Sequence, residues 1–125
     1  MKRDMDLVRE LLLKIEAAPP RASWKAIVTT TDNDEAEKAL WHLKLIEEAG
    51  LIRSKPLHVQ GMRYPEMIEL TWEGHDFLDS VRDPKIWEKT KEGAEAAGGF
   101  TVDLLKDLAK GLVKKQVEEW TGVKL

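Results

Sequence analysis

The chain has 125 residues, 42% hydrophobic and 34% charged, with a formal net charge of −3 and no cysteine. That length supports one buried core and hardly a second. The lack of cysteine excludes disulfides, thiolate chemistry and cysteine-ligated zinc. No stretch approaches the ~20 apolar residues needed to cross a bilayer.

The charge is unevenly spread. Residues 32–49 carry two basic and six acidic groups, whereas residues 51–65 hold Arg53, Lys55 and Arg63 and no acid. At the start, Lys2 and Arg3 are followed at once by Asp4 and Asp6, without the apolar run of a signal peptide. A cytoplasmic location is therefore the expectation.

Met5, Val8, Leu11, Leu12 and Ile15 recur at three- and four-residue steps and predict a helix from Asp4 to Ala17, ended by Pro19 and Pro20. Trp24 to Thr31 is rich in β-branched residues and reads as a short strand, with a turn of helix at Trp24-Lys25-Ala26 as the alternative. Asp32 or Asn33 caps the next helix, which runs to about Ala49 and stops at Gly50. Its predicted buried stripe is Ala36, Ala39, Leu40, Leu43 and Ile46, leaving Asp34, Lys38, Trp41, His42 and Leu45 outward. Leu51-Ile52 opens an extended stretch, and Gly61 lies between two apolar runs, which predicts a β-hairpin with a loose, basic tip.

Thr71 caps a helix over Trp72 to Val81, with Phe77, Leu78 and Val81 inward. Asp83-Pro84 starts a fifth helix that ends at Gly98-Gly99. Thr101 caps a sixth, where Val102, Leu105, Ala109, Leu112 and Gln116 follow heptad-like spacing. The five tryptophans are expected mainly in the core, with Trp120 the most interface-like. Gly111 marks either a close helix approach or a weak point in the last helix.

Helix, short strand, helix, hairpin, helix is the winged-helix order. The run from Leu43 to Ile52 resembles the end of the recognition helix in bacterial repressors of the ArsR and PadR types, and Leu70 to Leu78 resembles their strand-to-helix exit. Across most of the chain, Met1 to Leu7, Trp41 to Leu45, Leu70 to Leu78, Arg82-Asp83 and Trp87 resemble the bacterial and prophage-associated domain-of-unknown-function family 2513. That resemblance implies a short intracellular protein, often from phage-derived regions. It carries over no functional residue, because the family defines none.

The expected fold is α+β and mostly α: a winged helix-turn-helix-like domain over residues 1–83 with a β-hairpin wing, and a C-terminal helical extension over 84–125 that packs on it or dimerises. Two functions follow. In one, the chain is a prophage-associated regulator that grips double-stranded DNA through Lys38, Arg53, Lys55 and Arg63, although the acidic first turn of the middle helix opposes phosphate. In the other, it is a protein-interaction module using Trp41, Leu45, Leu105, Leu112 or Trp120, or a homodimer. His42, His58 and His75 lack metal-ligand spacing, and no nucleophile or phosphate-loop motif is present. No enzyme activity, metal, cofactor or membrane association is expected.

Overall fold

The computed structural model describes residues 1–99 and 101–125. It contains α1 (Met5–Ala17), α2 (Trp24–Ile27), α3 (Asn33–Glu48), β1 (Ile52–Val59), β2 (Met62–Leu70), α4 (Trp72–Val81), α5 (Pro84–Ala96) and α6 (Val102–Thr121). The architecture is α+β and mostly helical, with one two-stranded antiparallel sheet. The chain divides into two compact units, Met1–Asp76 and Phe77–Leu125.

Local chemistry sets most boundaries. Asp4 caps α1, Asp32 caps α3, Asp83 caps α5 and Thr101 caps α6, each accepting from backbone N–H groups that the first helical turn leaves without a partner. Gly50, at φ +78°, lets the chain leave α3 in a left-handed turn and enter β1. Gly74 is needed for a different reason. A Cβ there would fall on the backbone carbonyl of Leu51, so only glycine lets α4 start this close to the chain entering β1.

The first unit closes around α1, α3 and the inner side of the hairpin. Met5, Val8, Leu11, Leu12 and Ile15 are buried, together with Ile27, Ala39, Leu43, Ile46, Ile52, Ile68 and Leu70. In the second unit α5 packs on α6; Trp87, Thr90, Ala94, Leu105 and Ala109 are buried. At Gly93 a Cβ would meet the Leu108 side chain at an ordinary contact distance of 3.4 Å, and Gly111 faces open space, so the expected close helix approach does not fall at Gly111.

Three sequence expectations are corrected. Residues Trp24 to Thr31 do not form a strand: Ser23 caps the four-residue helix α2, and the sheet gains only an isolated bridge between Ala22 and Ile68. The hairpin tip is not loose. Val59 pairs with Met62 across Gln60-Gly61, whose φ values of +50° and +78° give the primed turn that matches strand twist. Of the tryptophans, only Trp87 is fully buried, while Trp72 is 78% exposed and Trp41 and Trp120 are also exposed.

Candidate interaction surface

Three of the four proposed DNA contacts are held in ion pairs. Lys38 reaches the Asp4 carboxylate at 3.2 Å. The Nε of Arg53 donates to Glu69 at 2.8 Å, and Arg63 pairs with Glu47 at 3.2 Å. Lys55 lies opposite Glu66 in the register but forms no ion pair among the described residues. The acid-free run on β1 is thus faced by carboxylates from β2 and α3, which the linear sequence separates from it.

The Lys38 pair belongs to a polar seam between α1 and α3. The backbone N–H of Asp4 donates to Nε2 of His42 at 2.9 Å, while His42 Nδ1 lies 2.8 Å from the Lys38 carbonyl. A carbonyl only accepts and an amide N–H only donates, so the ring must carry its proton on Nδ1 and present Nε2 as acceptor. His42 is completely buried, which corrects its expected outward position. The physical reason is visible in the spacing: Ala39, His42, Leu43 and Ile46 form one stripe, and both ring nitrogens find partners there.

At Asp4 burial pushes the carboxyl upward, but the Leu7 N–H, Lys38 and the Asp6 N–H together hold it below the usual range. A cleft of about 340 Å³ lies beside this seam, with Leu7, Leu11 and Ile27 among its apolar walls and Asp4, Glu35 and Lys38 at its rim. Within its lining the Thr30 hydroxyl donates to the Glu35 carboxylate at 2.8 Å. No group of three metal-capable side chains occurs among the described residues.

The hairpin has two unlike faces. Strand alternation puts Ile52, Ile68 and Leu70 inward, where they are buried, and on the same side Ser54 and Arg63 both reach Glu47 of α3. The outer side carries Arg53, Lys55, Leu57 and Val59 on β1, opposite Glu69, Glu66, Tyr64 and Met62 on β2. Leu57 is 50% exposed, Val59 45% and Met62 57%, so the outer tip is an open apolar patch. Tyr64 continues it toward α2, stacking on Trp24 with ring centroids 5.2 Å apart. Sequence reasoning missed this patch, because apolar residues alternating along a strand are ordinarily read as inward.

The hairpin edges are closed to further strands along part of their length. Counting the antiparallel alternation from the Val59–Met62 pair puts Pro56 opposite Pro65 at a pair that makes no cross-strand hydrogen bonds. There an ordinary residue would point its N–H outward; proline has none, so both edges lose a donor. Further along β2, the Ile68 N–H is already taken by the Ala22 carbonyl at 2.9 Å.

The other proposed interface residues are scattered. Trp41 is exposed and makes an edge contact with His42 at 5.6 Å, Leu45 is half-buried, and Leu112 is half-buried on α6. Leu105 is fully buried, which removes it as a docking residue: it is part of the α5–α6 packing. Trp120 is 83% exposed near the end of α6.

Fold and surface together define a small, mostly helical α+β protein with a two-faced β-hairpin. The chain belongs to the family described as Hypothetical protein (DUF2513), whose model matches residues 2–100. It is also similar to an uncharacterized protein of Haemophilus influenzae, 28% identical over 120 residues, a match covering 94% of this chain and 99% of the relative. No solved structure matches. No helix among the described residues is long and apolar enough to cross a membrane.

Proposed function

We propose that this chain is a winged-helix-type module that binds a protein partner through the outer face of its hairpin. The winged-helix reading rests on element order. Helix α1, the Ala22–Ile68 bridge, α2, α3 and then the hairpin follow that fold's succession, with its first strand reduced to one bridging residue. In this reading α3 occupies the recognition-helix position and the hairpin is the wing.

The observation that carries the function is the exposed Leu57–Val59–Met62 patch beside the Trp24–Tyr64 stack. Aromatic residues, methionine and arginine are the types enriched where proteins dock, and contiguous exposed apolar patches mark such sites. The blunted edges favour recognition by side chains over strand addition. Duplex DNA is less well served. The α3 N-terminus carries Asp32, Asp34 and Glu35, and Lys38 and Arg63 are held by carboxylates that a phosphate would have to displace.

A photo-crosslinking side chain at Met62, used in cells and followed by reconstitution with the purified captured protein, tests the reading. A discrete protein adduct is expected, with reconstituted affinity falling at least about tenfold in a Leu57→Ser/Met62→Ser variant. An adduct with nucleic acid, or partner affinity indifferent to the tip substitutions, would overturn it.

A further inference from the structure

We infer that the root of the hairpin is an anion site for a doubly charged phosphate group of the monoester type. The site is distinct from the apolar tip and does not depend on the tip's role. Arg21, Arg53, Ser54, Lys55, Met67 and Glu69 line a recess of about 300 Å³, large enough for a tetrahedral oxyanion.

Three cations and one carboxylate line the recess, an excess of two positive charges among the lining residues, with the Glu66 carboxylate outside the lining opposite Lys55 in the hairpin register. Glu69 engages Arg53 only through Nε, and its carboxyl is held below the usual range chiefly by that hydrogen bond, with burial opposing and the charges of Arg53 and Arg21 adding. The carboxylate orients the guanidinium while the η nitrogens remain available for a second oxyanion. Among the described residues neither Arg21 nor Lys55 forms an ion pair. A dianion would balance this excess, whereas a phosphodiester, with a single charge, would leave half of it.

Backbone geometry independently singles out the same recess. Among the described residues, the non-glycine residues at positive φ are Arg21 at +59°, Gln60 at +50° and Met67 at +53°. Gln60 is explained by the hairpin turn. The other two both line the recess. Met67 sits where the register slips between Arg53 and Lys55, a bulge position that ordinarily takes glycine. Conformations disfavoured for side-chain-bearing residues concentrate where a site requires them. Here they set Arg21 and the Arg53–Lys55 segment around one space.

The test is titration of the ¹⁵N-labelled full chain with inorganic phosphate, in parallel with N-acetyl-phosphoserine amide and a short duplex DNA. Saturable shifts centred on Arg21, Arg53, Ser54 and Lys55 are expected with phosphate. They should weaken at least about tenfold in Lys55→Ala and in Arg21→Gly, the second of which keeps the left-handed backbone. Tighter binding of the phosphoserine amide than of free phosphate would assign the site to phosphorylated side chains; equal binding would assign it to small free phosphates. Absence of saturable shifts, equal affinity in both variants, or binding of duplex DNA without binding of phosphate would each overturn the inference. Unchanged melting temperatures in the two variants separate loss of the site from loss of the fold.

Discussion

The α1–α3 seam and the outer hairpin face are built from similar residue types, and they end in opposite states. In the seam, Asp4, Lys38 and His42 bind one another: an N–H, a carbonyl, a carboxylate and an ammonium all find partners within the first unit. On the hairpin, Arg53 has one carboxylate partner through a single nitrogen, Lys55 forms no ion pair among the described residues, and three apolar side chains are about half exposed. A charged or ring side chain does structural work when the fold supplies its complement. It is left for a partner when the fold does not. The seam should therefore govern stability, and the hairpin face binding.

The comparison is broken most decisively at His42. Replacing it with alanine removes the acceptor for the Asp4 N–H and opens a buried space, for an expected loss of about 2–4 kcal/mol in denaturant unfolding. A loss below about 1 kcal/mol would mean that the seam is not structural. Asp4→Ala removes the α1 cap and the Lys38 pair, and should cost about 1 kcal/mol, most of it from the cap because the ion pair is half-exposed and screened. Since the Asp4 carboxyl is held below its usual range, its contribution is fully present above roughly pH 4 and is lost as pH falls through its lowered folded value. Unfolding curves of wild type and Asp4→Ala should therefore converge at low pH; a constant difference would contradict the assignment.

At the hairpin the expected stability effects are smaller. Met67→Gly relieves a left-handed methionine and should stabilise by roughly 0.5–1 kcal/mol, read as a rise in melting temperature. Destabilisation would show that the Met67 side chain is held by packing. The tip variant Leu57→Ser/Met62→Ser should stay within about 0.5 kcal/mol of wild type, because both side chains are already substantially exposed. A larger loss would make the tip part of the core and remove it as a docking face.

Much of the skeleton was legible in the sequence because it depends on neighbours in the chain. Asp32, Thr71, Asp83 and Thr101 serve as caps where their positions before helical runs suggested, and Gly50 serves the turn that ends α3. The candidate sites were less legible, because they depend on pairings between distant residues. The helical step puts His42 on the outward face of α3, but its ring is buried because the Asp4 N–H and the Lys38 carbonyl are brought against its two nitrogens. Arg53 and Glu69 are sixteen residues apart and meet only through the register of a bulged hairpin. Arg21 follows two prolines with no periodic signal, so nothing local indicated that it would join Arg53 and Lys55. The tip misled by its regularity: Leu57 and Val59 alternate as core residues do, yet the inner side of that hairpin was already assigned to Ile52, Ile68 and Leu70.

The most direct test of the central claim, that the hairpin face serves a protein partner and the cations opposite carboxylates do not grip duplex DNA, is fluorescence anisotropy of the purified chain with generic duplex DNA across a salt series. No saturable binding is expected at physiological salt, and only weak association at low salt. Micromolar binding that falls steeply with salt and disappears in Arg53→Glu/Arg63→Glu would contradict the claim, and would make the hairpin a phosphate grip whose ion pairs open on contact with DNA.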